Sequence, residues 1–173
     1  MKIDLATQSI SVVIPMHNEE LLVEEVLKQV SESCACFYSF QIVVVDDGST
    51  DKTWEVLQKI ALKQPNVLAL RFSRNFGHQR AVLAGLHQAK GDVVAIIDGD
   101  LQDPPRLIPE MVLKMYTDSL AMVYGQRISR HGETLFKTFS ARFFYRIFSR
   151  MVPFDLPIDV GDFRVFKIGR AHV

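Results

Sequence analysis

Val93-Val94-Ala95-Ile96-Ile97-Asp98-Gly99-Asp100-Leu101-Gln102-Asp103-Pro104-Pro105, or VVAIIDGDLQDPP, is the stretch from which the fold is read. Five apolar residues, mostly β-branched, run without alternation into Asp98-Gly99-Asp100. A strand that is polar on one face would alternate, so this run predicts a strand buried on both faces, as in a parallel sheet covered by helices. Open α/β sheets place their ligands at the carboxyl ends of such strands. Two carboxylates around a glycine repel each other unless a positive group stands between them. A hard divalent cation, with phosphate oxygens completing its shell, answers that need. For the Asp-Gly-Asp alone the bland alternative is a polar turn whose acids cap the next helix.

Working towards the N-terminus, the pattern repeats. Ser9 to Pro15 (SISVVIP) predicts a first strand, and Asn18 is the expected N-cap of a helix whose first turn holds Glu19 and Glu20. Leu22, Val23, Val26, Leu27 and Val30 recur at helical spacing. A polar break over residues 31–39 separates them from Gln41 to Val45, a second buried strand running into Asp46-Asp47-Gly48-Ser49. An amphipathic helix through Trp54, Leu57, Ile60 and Ala61 follows. Then come a strand from Val67 to Phe72, a loop from Ser73 to Gly77, and a small-residue helix from Gln79 to Ala89. Strands alternating with helices predict an α/β layered sheet with right-handed crossovers.

Towards the C-terminus, a helix from Pro105 to Met115 and a strand from Ala121 to Gly125 continue the series. Residues 133–151 differ in character: they are dense in phenylalanine, and Arg142, Arg146 and Arg150 fall four apart. Such a segment is either a core helix with a solvated edge or a helix lying in a membrane interface, where Lys/Arg with Phe is the usual composition. Asp162 to Phe166 predicts one more strand. One domain over residues 1–166, a fragment incomplete at its C-terminus, is expected, with 167–173 a tail foreign to it.

Composition narrows the classes. The 173 residues are enough for one domain with a full core, and 20 basic against 20 acidic residues leave no net field to argue for nucleic acid. Cys34 and Cys36 have no second pair, so neither a disulfide framework nor a zinc site is indicated. The five histidines lack metal-ligand spacing. The N-terminus does not read as a signal peptide, and no window reaches the ~18 apolar residues of a membrane span. A place in the cytosol or on a membrane surface is expected.

Three polar or acidic turns thus stand at predicted strand ends: Pro15 to Glu19, Asp46 to Ser49, and Asp98 to Gln102. Adjacent parallel strands would bring all three to one edge of the sheet. Carboxylates there can accept from a base N–H and from ribose hydroxyls while a metal meets a diphosphate. A nucleotide diphosphate attached to something is the ligand expected.

In their order, VVIPMHNEE, VVVDDGSTDKT, FSRNFGHQRAVLAGL, DGDLQDPP, YGQR and GDFR resemble the family 2 glycosyltransferases of GT-A fold. They are most similar to the branch that moves a sugar onto a polyprenyl phosphate. The resemblance covers roughly Ile10 to Phe166. It implies a mostly parallel central sheet with helices on both faces, a UDP- or GDP-sugar donor, a polyprenyl phosphate acceptor, and work at the cytoplasmic face of a membrane. It implies that Pro15, His17, Glu19, Val45, Asp47, Asp98, Gly99, Gln102 and Arg127 bind the nucleotide-sugar, with Asp47 at the base. Members often carry Tyr where His17 stands. Asp98 and Asp100 would hold Mg2+ or Mn2+, and Asp100 and Asp162 would be the catalytic acids. Asp162 and Arg164 would face the acceptor.

The chemistry this implies is in-line attack on the anomeric carbon with inversion, leaving-group charge being offset at the diphosphate. An alcohol acceptor would need Asp162 as general base. A phosphate monoester, with a second pKa of about 6, is already mostly dianionic near neutral pH, so Asp162 would there orient the acceptor. A saccharide acceptor and a non-catalytic nucleotide- or membrane-binding role are the alternatives. An aspartyl-nucleophile phosphatase is more remote: the strand ending in Asp-x-Asp is fourth rather than first, and the other two turns would go unexplained.

Overall fold

The structure is a computed structural model that describes residues 3–126 and 160–168. Two units are distinguished, Met1–Tyr124 with Asp162–Val173, and Gly125–Gly161. Nearly all of the second lies outside the described residues. The expected interfacial helix at 133–151 and Arg127 both fall there.

Six strands form one sheet in the order β3-β2-β1-β4-β6-β5. They are β1 (Ser9–Met16), β2 (Ser39–Asp46), β3 (Val67–Arg71), β4 (Val93–Ile96), β5 (Met122–Gln126) and β6 (Val160–Lys167). The helices α1 (Val23–Cys34), α2 (Thr53–Ala61), α3 (His78–Gln88) and α4 (Ile108–Thr117) alternate with them, and a 3-10 turn at Pro105–Leu107 leads into α4. β1, β2, β3 and β4 are parallel, and β6 runs antiparallel to β4. The sheet is therefore mostly parallel, as expected.

Missing alternation in the apolar runs has its cause in the two cores. On one face Val12, Ile14, Ile42, Val44, Val93, Ala95 and Ile97 pack with residues of α1, α2 and α4, among them Val26, Leu57 and Val112. On the other, Val13, Val43, Val45, Val94 and Ile96 pack with Ala81 and Val82 of α3. Successive strand residues point to opposite faces, so a sheet covered on both must be apolar at every position. α3 lies close to the sheet because of Gly85: a Cβ there would stand 2.4 Å from Val13 Cγ1. Cys34 is wholly buried on the first face, and burial pushes its thiol pKa up to about 12, which makes it an inert core residue.

Three local expectations are corrected. Asn18 is not a helix cap. It takes a left-handed conformation (φ 57), and its Oδ1 accepts from the Thr50 amide at 2.9 Å, tying the loop after β1 to the loop after β2. α1 begins only at Val23, without a side-chain cap. Nor is there a break at Ser31: α1 continues to Cys34 because Val30 and Cys34 prolong its buried stripe. The strand predicted from Asp162 to Phe166 is longer, running through Lys167, and the Ile168 amide donates to the Asp92 carbonyl at 3.2 Å. Residues 169–173 lie outside the described residues.

Candidate active site

Because β2, β1 and β4 are adjacent and parallel, their carboxyl ends and the turns beyond them meet at one edge. A cavity of about 340 Å³ opens there, lined by Pro15, Met16, His17, Glu19, Asp47, Asn75, Gly77, His78, Asp98, Gly99 and Asp100. Of the expected nucleotide-sugar residues, Pro15, His17, Glu19, Asp47, Asp98 and Gly99 form its wall. Val45 does not reach it: its side chain is fully buried in the second core, beneath the site. Gln102 is exposed on the same turn as Asp100, outside the lining.

His17 is fixed by its neighbours. Nδ1 stands 2.9 Å from the Asp47 carbonyl oxygen, which can only accept, so Nδ1 carries the proton and Nε2 is left to accept from Asn18 Nδ2 at 3.2 Å. Asp47 is buried, and its two carboxylate oxygens accept from the amides of Phe76 (2.7 Å) and Gly77 (2.9 Å). That pair of bonds closes the loop after β3 over the end of β2. Gly48 permits the same approach, since a Cβ at this position (φ 65) would meet the Arg74 backbone at 2.3 Å. Asp46 is wholly buried and faces Arg71 Nε at 3.2 Å.

The third turn brings its acids to a residue the sequence reading left aside. β4 and β6 pair Ile96 with Arg164, and continuing that antiparallel register by two residues sets Asp162 opposite Asp98. His78, the first residue of α3, stands with Nε2 2.8 Å from Asp162 Oδ2 and 3.7 Å from Asp98 Oδ1. The Arg164 side chain binds Asp162 Oδ1, so this arginine is turned to its own strand's acid. Asp100 keeps to its turn, its Oδ1 accepting from the Gln102 amide at 3.0 Å. The histidines that looked scattered in sequence thus include one at the centre of the site. No local sequence signal marks it, because its place at the site comes from the packing of α3 on the sheet.

Electrostatics favour a cation here. Asp98 Oδ1 is buried with no hydrogen-bond partner. Burial, then the negative charges of Asp100, Asp162 and Asp103, raise the Asp98 pKa, with His78 opposing them. Glu19 is raised too, by burial and then by Asp100 and Asp51, with His17 opposing. A nitrogen of His78 and carboxylate oxygens of Asp98 and Asp162 all lie within 4.8 Å of one another. The two carboxylates suit a divalent ion such as Mn2+, while His78 Nε2, whose proton faces Asp162 Oδ2, stands beside them.

The fold is that of GT-A glycosyltransferases. A mannosyltransferase from Pyrobaculum calidifontis in complex with GDP-Man and Mn2+ has a similar structure, with TM-score 0.64 and 24% identity, over 93% of this chain and 45% of that one. Glucosyl-3-phosphoglycerate synthase from Mycobacterium tuberculosis, with Mn2+, UDP-glucose and phosphoglyceric acid, gives TM-score 0.66 and 23% identity, over 94% of this chain and 57% of that one. Residues 11–169 match the model of glycosyl transferase family 2, and the chain belongs to that family. Among relatives, the uncharacterized glycosyltransferase YkcC of Bacillus subtilis is 44% identical over 158 residues, 90% of this chain and 48% of its own. A bactoprenol glucosyl transferase of Shigella phage SfV is 37% identical over 159 residues, 91% of this chain and 52% of its own. The chain spans about half the length of these curated relatives.

Proposed function

We propose that the protein moves a sugar, with inversion, from a nucleotide diphosphate to a polyprenyl phosphate at the cytoplasmic face of a membrane. The observation that carries this reading is the buried Oδ1 of Asp98, which has no hydrogen bond, in the wall of a cavity formed by three strand ends. A carboxylate left in that state is a ligand awaiting a cation, and a diphosphate is the anion such a cation brings. The acceptor class is supported by the similarity to bactoprenol glucosyl transferases.

Asp98 would hold the metal, with Asp162 within reach of the same point and Asp100 on the adjoining turn. When bound, Mg2+ or Mn2+ would offset the charge of the departing diphosphate. Pro15, His17 and Asp47 shape the end of the cavity that receives the base and ribose. Asp47 reaches the base with its remaining acceptor capacity, because each oxygen already takes one backbone amide. Asp162, held on both oxygens, orients a phosphate acceptor that needs no deprotonation.

The test is calorimetry of UDP- and GDP-sugars with Mn2+, with and without chelator, followed by transfer onto polyprenyl phosphate. Binding should require the ion, and Asp98→Asn should weaken it by about 10-fold or more, since ~1.4 kcal/mol is tenfold. Equal affinity in chelator, or transfer to a saccharide and not to the lipid phosphate, would overturn the respective half of the proposal.

A further inference from the structure

A chain of contacts runs across the site. Asp47, on the nucleotide wall, accepts from the Phe76 and Gly77 amides. Those residues lead directly into His78, where α3 starts, Gly77 being its N-cap with φ 98. His78 Nε2 then reaches Asp162 Oδ2 at 2.8 Å. A carboxylate oxygen only accepts, so Nε2 carries the proton in this contact. With Arg164 on the other oxygen, both oxygens of Asp162 are held. The segment bearing His78 is therefore tied at both ends to residues of the site, although its own side chain is 39% exposed.

The geometry points to His78 as a positioning residue: it sets Asp162 against Asp98 and is itself set by Asp47, linking the nucleotide wall to the acceptor acid. The inference rests on the glycosyl-transfer reading only for its consequence, not for the contact itself. Nothing in composition or spacing singles His78 out; it is the placement of α3 over β1 and β2, with its first residue at the sheet edge, that does so. Loss of the imidazole would free Asp162 to swing about Arg164. Such a change acts on the alignment of the acceptor. It lowers the turnover number and spares donor affinity.

The experiment compares the whole protein with His78→Ala, His78→Gln, Asp162→Asn and the double variant His78→Ala/Asp162→Asn. Turnover of His78→Ala should fall by about 10- to 100-fold at constant donor KM, the range that slight misplacement produces. His78→Gln should recover most of it, because its side-chain N–H can reach the same oxygen. His78→Ala should add nothing in the Asp162→Asn background, the signature of residues acting as a unit. Mn2+-dependent affinity for UDP or GDP, measured without turnover, should stay within about two-fold of wild type, a small fraction of the ~1.4 kcal/mol per decade. Unchanged turnover in His78→Ala, a glutamine no better than alanine, or a loss lying wholly in Mn2+-dependent affinity would overturn the assignment.

A spectroscopic arm separates this inference from the proposed function. The 15N resonances of the His78 ring should shift in Asp162→Asn and stay in place in Asp100→Asn. Exchange of the Phe76 and Gly77 amides should quicken in Asp47→Asn, together with a shift of the same ring signal. If wild type transferred no sugar, the glycosyl-transfer reading would fail while these signals still decided the role of His78. A ring signal indifferent to Asp162→Asn would refute the positioning role whatever the activity.

Discussion

The Asp98 carboxylate occupies a place where charge is costly, with one buried oxygen that has no hydrogen bond and three further acids whose effect His78 only partly opposes. Its pKa is raised in the folded state, so the folded state prefers the protonated form. The stability linked to that preference is complete below the ordinary carboxylate range and is lost as pH rises through the raised pKa. Asp98→Asn should therefore raise the thermal midpoint at pH ~7, and the gain should shrink as pH falls towards ~4, near the reference carboxylate value. Thermal unfolding at the two pH values, without metal, measures it; a lower midpoint for the variant at neutral pH would show that Asp98 is compensated by a partner. Glu19 carries a shift of the same sign. The acids were legible in the sequence because each follows an apolar run that does not alternate. His78 was not, since nothing local to a helical histidine says which strand end it faces. Asp162 was assigned to the acceptor by resemblance, whereas its meeting with Asp98 depends on the register between β4 and β6.

Among the elements, α3 shows how closely a helix must approach for the site to form. An exposed glycine within a helix is improved by alanine by about 1 kcal/mol. Gly85 is buried, and the added methyl would collide with Val13, a β-branched residue with little freedom to turn aside. Gly85→Ala should thus destabilise, by about 1–3 kcal/mol as overpacking does, in denaturant titration. A gain in stability would mean that α3 can rise from the sheet without loss. The strands were readable to within a residue or two because both faces demand apolar side chains. The start of α1 was not: Asn18, Glu19 and Glu20 look like a helix entrance. Instead the Asn18 side chain serves Thr50, while the Glu19 amide donates to Thr53 Oγ1 and that of Glu20 to Asp51. The competition between capping a helix and bridging two loops is decided by a neighbour 31 or more residues away, which local pattern does not contain.

At the level of the molecule, the sequence pattern implied a sheet with helices on both faces, and the two cores have that arrangement. The direction of β6 was not legible, because it depends on the connection through residues 127–159 and on a pairing distant in sequence. The segment at 133–151 carries the membrane expectation: its phenylalanines and its arginines at 142, 146 and 150 suit an anionic surface, with roughly 1 kcal/mol for each basic residue near it. Flotation with anionic liposomes should show salt-sensitive binding that Arg142, Arg146 and Arg150→Glu together abolish; wild type staying in solution at low salt would assign the segment to a core. The place of β6 also has a consequence for the order of synthesis. β4 has β1 on one flank and β6 on the other, so until residues 160–167 leave the ribosome its second flank is open. A nascent chain at that stage has the turns after β1, β2 and β4 but lacks Asp162 beside Asp98. Closing the sheet and assembling the acids are then a single late event, so a half-made chain has only part of the acid cluster.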